Sequence, residues 1–329
     1  MTGLRQLLLR REAGIFVMIL LFCLAVGLAK PQFLTLNSLR IILLLTPLIL
    51  IGAMAQMLVI VARHVDLSIG SMLGFSAMLT GMMFKFHPEI WWPLGFILAI
   101  GTGTILGFIN GVLVTLFRLP AIIVTLGTLN LYRGLTYIVS DAKQIDRQFV
   151  PSALKAMSQT SPVFGIPWII FMSLGIAVLT YLFTLHSQVG RQIFALGSNP
   201  VAAPLRGINV RGVTLLVFSL SGALSGLAGI MYASRWGFVN PSNTGTGFEF
   251  QVIAAVVIGG VSINGGSGSV LGTVLGVLLL GCVSAALPLL GIPGTTQNAI
   301  YGAVILVALL IDRTVRQQGL KRLTMRAVA

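Results

Sequence analysis

Residues 41–61 read IILLLTPLILIGAMAQMLVIV, 21 positions without a charged side chain. A hydrocarbon core about 30 Å thick takes roughly 20 such residues to cross as a helix, so this run alone points to a transmembrane span. Outward from it, apolar runs of similar length recur from Ala13 to Ile311, with no polar block long enough to form a soluble domain. We place spans near 13–29, 39–61, 67–86, 91–116, 120–139, 164–185, 212–233, 249–262, 268–290 and 294–312. The expected fold class is an all-α integral membrane protein of about ten transmembrane helices, one unit covering 1–329. The eighth run is short, and is therefore tilted, broken or continuous with the Gly-rich stretch after it. Composition agrees: only 9% of the residues are charged, against about 25% in soluble domains.

Twenty-one Lys and Arg against seven acids leave a formal charge of +14. In a soluble chain that would suggest nucleic acid. Here the basic residues lie between the apolar runs and at both ends, which fits a bilayer with an anionic leaflet as the partner and no nucleic acid. Thirteen of the 21 fall on one face and seven on the other. This bias places both termini in the cytoplasm, with 1–12 and 313–329 as cytoplasmic ends, 140–163 as a periplasmic loop and 186–211 as a cytoplasmic loop. Trp91, Trp92, Trp168 and Trp236 fall near the outer ends, as an aromatic belt would. Residues 1–12 carry Arg5, Arg10 and Arg11 but no small-residue cleavage site comes after them, so the first run is expected to be a retained helix. Cys23 and Cys282 sit inside apolar runs, and His64, His87 and His186 are far apart. Neither set predicts a disulfide framework or a metal site.

Glycines four apart, at Gly103, Gly107 and Gly111 and again at Gly268, Gly272 and Gly276, predict close helix contacts. Val65-Asp66-Leu67 with Gly70-Ser71-Met72-Leu73-Gly74 is echoed, with a two-residue insertion, by Val261-Ser262-Ile263 with Gly268-Ser269-Val270-Leu271-Gly272. Broken helices at matching places in two repeats are a known transporter design, and a chance match is the rival account. Ionisable and polar groups within membranes are costly and mark pathways by default. The candidates for a translocation path are Asp66, Ser68, Asn110, Thr125, Thr128, Asn130, Arg133, Glu249 and Gln251. Structural alternatives exist for three of them: Asp66 fits as a helix cap partnered by Arg63, and Arg133 as a side chain snorkelling to the outer interface. Glu249 also fits as a charge at a helix N-terminus.

No Gly-Lys pair occurs, so a phosphate-binding loop of the ATPase type is absent and the chain is expected not to be an enzyme. The stretch Gly265–Ser269 lacks the lysine and reads as an unwound entry to a helix. No catalytic residues and no cofactor are assigned. In 186–211, Ser198 or Asn199 can cap a short helix, Pro200 fits its first turn, Val201-Ala202-Ala203 continue it and Gly207 stops it. So short a helix needs something packed on it. An ion-coupled secondary transporter is the alternative function class. It would need coupling carboxylates at mid-membrane, but five of the seven acids fall at span ends or in loops.

Several ordered blocks resemble the permease subunits of bacterial carbohydrate-uptake ABC importers of the ribose, xylose, rhamnose and autoinducer-2 type. They are Val65–Ser71, Pro120–Thr128, Gly190-Arg191, Ala195–Pro200 with Ala202-Ala203, Gly207–Val210, Ala254–Gly260 and Gly265–Gly268. The resemblance covers essentially the whole chain. It implies a multi-pass protein of the inner membrane that forms a path for a monosaccharide or similar small solute, rhamnose-like sugar or autoinducer-2 being favoured. It further implies a second permease copy or a sister permease, a periplasmic solute-binding protein, and a separate ATP-binding subunit that holds ATP and magnesium. The segment 197–208 would then couple to that ATPase through Gly197, Ser198, Asn199, Pro200, Ala202, Ala203 and Gly207.

Overall fold

The structure is a computed structural model; it describes residues 11–159, 165–293, 296, 297, 299–303, 305 and 306. Eleven helices of eight residues or more are present up to position 293: α1 Arg11–Ala29, α2 Leu36–Val61, α3 Ile69–Phe86, α4 Leu94–Leu116, α5 Ala121–Ser140, α6 Ser152–Gln159, α7 Trp168–His186, α8 Gln188–Ser198, α9 Val210–Trp236, α10 Phe248–Ile258 and α11 Val270–Leu289. Eight of these, all but α6, α8 and α10, are long and apolar enough to cross a membrane. They coincide with eight of the ten expected spans to within a few residues. The tenth, 294–312, lies largely outside the described residues, as do most of 1–12 and all of 313–329.

The eighth run is the one that departs from a plain helix. Its helix, α10, has 11 residues, about 16 Å at about 1.5 Å per residue, half of what a crossing requires. Non-helical backbone precedes and follows it: 237–247 leads from the end of α9 to α10, and 259–269 leads on to α11. The first stretch starts beside Ile145, which exchanges backbone hydrogen bonds with Val239 at 2.9 and 3.0 Å. It then runs along α3, so that Cβ atoms on Gly81, Gly74 and Gly70 would meet Ile145, Thr244 and Gly245 in turn. The chain thus descends beside α3 as irregular backbone and continues as a half-length helix. The loop 140–163 is not simply solvated either, because it carries α6, whose Leu154 is fully buried and whose Ser158 hydroxyl bonds Ser234 of α9 at 2.8 Å.

At the centre stands α2, buried along 89% of its most apolar stretch, while α1, α5 and α7 at the periphery are buried along 17 to 28%. Within lipid there is no hydrophobic force between helices, so close packing must supply the attraction. The glycines supply the closeness. Cβ atoms on Gly103 and Gly107 of α4 would strike Gly222 and Phe218 of α9, and one on Gly222 would strike Gly103. Gly272 and Gly276 of α11 serve likewise against Gly259 and Ala255. Both stripes work inside one subunit.

Gly222→Val is therefore expected to push α4 and α9 apart. Gly101→Ala, with nothing within 4 Å of the added carbon, should be neutral within about 0.5 kcal/mol. Thermal midpoints and gel-filtration profiles of the two variants in detergent will separate them.

Candidate functional site

The segment between α2 and α3 folds back into the bundle and brings Asp66 into a buried network. Asp66 Oδ1 accepts from the Ser68 amide at 2.9 Å and the Ser68 hydroxyl at 2.6 Å, and Oδ2 accepts from the Ser221 hydroxyl at 2.8 Å. Asn110 Nδ2 donates to Ser68 Oγ at 2.8 Å, Tyr132 Oη stands 3.0 Å from Asn110 Oδ1, and Thr125 Oγ1 donates to the Val65 carbonyl at 3.3 Å. One carboxyl thereby ties the α2–α3 segment to α4, α5 and α9. Ser221 sits near the middle of the 27-residue α9, about 16 Å from its start at about 1.5 Å per residue. An isolated carboxylate at that depth would be very costly, and three hydroxyl and amide donors are what make it tolerable. Arg63 takes no part in this network: it is exposed, and the partners of Asp66 are serines. Asp66, Ser68, Asn110, Thr125 and Thr128 are thus brought together and buried.

A second polar line runs through the irregular backbone before α10. Arg133 Nη1 donates to the Thr244 carbonyl at 2.6 Å, which anchors the guanidinium inward on the descending chain and not toward the interface. Glu249, buried in the first turn of α10, lies within electrostatic reach of Arg133 and at the positive end of its helix. Above this line opens a cavity of about 740 Å³. Its floor includes Leu73, Gly245 and Phe248, and its polar wall includes Gln32, Asn37, Asn243, Gln251 and Arg235. Of the expected path residues only Gln251 lines this opening. Asn130 is exposed on α5 and donates to Leu126 of its own helix at 3.0 Å.

At the opposite end, residues 197–207 differ from expectation. The helix is α8, which precedes Asn199 where one starting at 198 or 199 was expected; 200–203 form turns and Pro204–Arg206 one 3-10 turn. The reason lies in Asn199, whose side chain accepts from the Val201 and Ala202 amides at 3.2 and 3.0 Å and so stabilises a turn. Gly207, at φ +76°, closes the segment in the left-handed conformation. Val201 and Leu205 project with 80% and 86% of their surface exposed, whereas Ala203 is buried.

This projection is rooted on the end of α2 and on the irregular segment before α11. The Gly266 amide donates to the Val61 carbonyl at 2.9 Å, and Ser198 Oγ donates to the Gly266 carbonyl at 3.3 Å. A Cβ on Gly197 would collide with both Val61 and Gly266. The two echoing stretches, 65–74 and 261–272, run into the starts of α3 and α11 respectively, and Gly266 of the second meets the end of α2 under Gly197. Beside them, His64 packs its ring 5.7 Å from Phe218.

A family described as the permease component of branched-chain amino acid transport systems matches residues 38–309. The chain belongs to this permease family. It is 36% identical over 316 residues to the autoinducer 2 import system permease protein LsrC of Salmonella typhi, covering 95% of this chain and 89% of that protein. With the protein of the same name from Escherichia coli O9:H4 it shares 34% over 307 residues, 93% and 88% of the two chains. No solved structure matches. The permease is accordingly the transmembrane component of an import system and a multi-pass protein of the inner membrane.

Sequence reasoning passed over three features of the permease. Ser221, in the run Ser219-Leu220-Ser221-Gly222, carries no mark that separates it from its neighbours. Tyr132 adjoins Arg133 and reads as an ordinary apolar position until its hydroxyl is seen at Asn110. Val201 and Leu205 lie in the segment expected to dock on a partner, but nothing in the sequence says which of its side chains are displayed. Ser221→Ala will leave Asp66 Oδ2 without its donor and is expected to cost about 1–3 kcal/mol, read as a lowered thermal midpoint in detergent. Thr115→Ala, which removes only a bond to its own helix, should shift that midpoint much less.

Proposed function

We propose that this chain forms the membrane path of an ATP-driven importer for a small hydroxyl-rich solute, autoinducer-2 or a monosaccharide of similar size, and that it hydrolyses no ATP itself. The observation that carries this is the projecting 199–207 segment. Two large apolar side chains, Val201 and Leu205, stand almost fully exposed at the Arg-rich end of the bundle. Such a display fits a partner's pocket, and a separate ATP-binding subunit holding ATP and magnesium is the partner proposed. The charge bias supports a cytoplasmic placing of this end and of both termini.

In this reading the 740 Å³ cavity at the opposite end is the outer part of the path. Its amides and its Arg235 and Trp236 suit a ligand with several hydroxyl groups, which would be handed over by a periplasmic binding protein. The floor formed by Gly245 and Phe248, held by Arg133, is the closed gate. A second permease copy or a sister chain completes the assembly, and closure of the paired ATPases moves the 199–207 segments and the gate behind them.

Leu205→Asp should abolish co-purification of the ATPase and ATP-dependent uptake, while the detergent-solubilised permease stays monodisperse, since Leu205 is exposed. Retained ATPase binding would remove the docking assignment. Uptake into vesicles driven by an ion gradient without ATP would instead favour a secondary transporter. Ala203→Glu is the less informative variant, because Ala203 is buried and its replacement disturbs the segment itself.

A further inference from the structure

The Arg-rich end holds a second cavity, of about 840 Å³, beside the projecting segment. Arg63, Arg118 and Arg211 reach it from three separate places, the α2–α3 segment, the α4–α5 turn and the first turn of α9, and no acidic residue lines it. Among the described residues none of the three guanidinium groups is in an ion pair. Three arginines that line one cleft, none in an ion pair among the described residues, give it a positive potential suited to an anion.

Backbone conformation adds an independent argument. Arg63 and Arg118 stand at φ +69° and +55°, just past the ends of α2 and α4. Glycine is the usual occupant of this left-handed position after a helix, because a side chain is strained there. Both helices that end on the cleft place arginine where glycine would be easier. A cation near a helix C-terminus is favourable, but that could be had from the last turn without the strained backbone.

The cleft has an apolar side as well. Leu119 and Ile122 line it and are at the same time 45% and 53% exposed on the outside of the bundle. Leu116, Phe117 and Ile123 continue that exposed surface. A free inorganic anion would use only the arginines. A molecule with a phosphate head and hydrocarbon tails uses both, the head among the guanidinium groups and the tails along α5.

We propose that this cleft binds the headgroup of an anionic phospholipid of the inner leaflet. The proposal rests on the placing of this end in the cytoplasm. Because Pro200 and Pro204 also line the cleft, a bound lipid touches the base of the segment that carries Val201 and Leu205, and its occupancy biases how that segment is held. Anionic lipid would then tune coupling to the ATPase.

The test is native mass spectrometry of the detergent-purified permease with added phosphatidylglycerol, cardiolipin or phosphatidylethanolamine. A polybasic site near a membrane surface gains about 1 kcal/mol per arginine. Arg63→Gln, Arg118→Gln and Arg211→Gln should therefore each weaken anionic-lipid retention about five-fold, and the triple variant on the order of 100-fold. Phosphatidylethanolamine retention should be unchanged. Equal cardiolipin retention by the triple variant overturns the site. Displacement of the lipid by millimolar inorganic phosphate as readily as by added phospholipid would show a simple phosphate site without a tail groove, and also overturns it. Loss of ATPase binding with lipid retention intact would assign the cleft to the motor subunit instead. Labelling of a Val201→Cys variant, in a Cys23→Ser, Cys282→Ser background, from the two sides of sealed vesicles checks orientation separately.

Discussion

Backbone polar groups have no water to bond with in the hydrocarbon core, so irregular chain at membrane depth survives only where protein covers it. This constraint governs the permease. The stretches 62–68 and 237–247 leave helical geometry, and each is bonded from the side. Asp66, Ser68, Ser221 and Asn110 cover the first. Arg133, which bonds the Thr244 carbonyl, and the Ile145–Val239 backbone pair cover the second. The charged groups in the middle of the bundle are there because the chain is broken there. Their positions follow from the backbone they satisfy.

Glycine makes the coverage possible. Where the descending chain passes α3, Gly70 and Gly74 admit the Gly245 and Thr244 carbonyls at distances that any side chain would forbid. Between α4 and α9, and between α10 and α11, the same device brings backbone against backbone. The tightest seams of the bundle are therefore backbone against backbone, whereas α2 is wrapped largely in Ile, Leu and Met.

The sequence made the number and rough limits of the long helices legible, because a crossing of about 20 residues is a length constraint that composition reveals directly. The short eighth run was visible as an anomaly for the same reason, and Gly265–Ser269 as irregular chain. What could not be read was which polar residues meet. Asp66 pairs with Ser221, 155 positions away, and a serine in a transmembrane helix looks alike whether it bonds its own helix or a distant carboxylate. The helix near 198–207 was misplaced because Asn-Pro fits two grammars. Asparagine before proline can start a helix or cap a turn, and the choice fell to the turn once the Asn199 side chain took the Val201 and Ala202 amides. That Val201 and Leu205 are displayed while Ala203 is buried is likewise a property of the packed bundle, which composition does not carry.

The contact under Gly197 shows how force on the exposed segment would enter the bundle. Ser198 is bonded to Gly266, Gly266 to Val61, and Gly197 is pressed against both. Val61 ends α2, while Gly266 belongs to the irregular loop between α10 and α11. Gly265 and Gly266 stand at φ +82° and +75°, a conformation that favours glycine. The loop they form leads into α10, whose other end carries Glu249 and the cavity floor at Phe248. In the proposed mechanism, motion at the projecting segment would pass along this half-length helix to the gate.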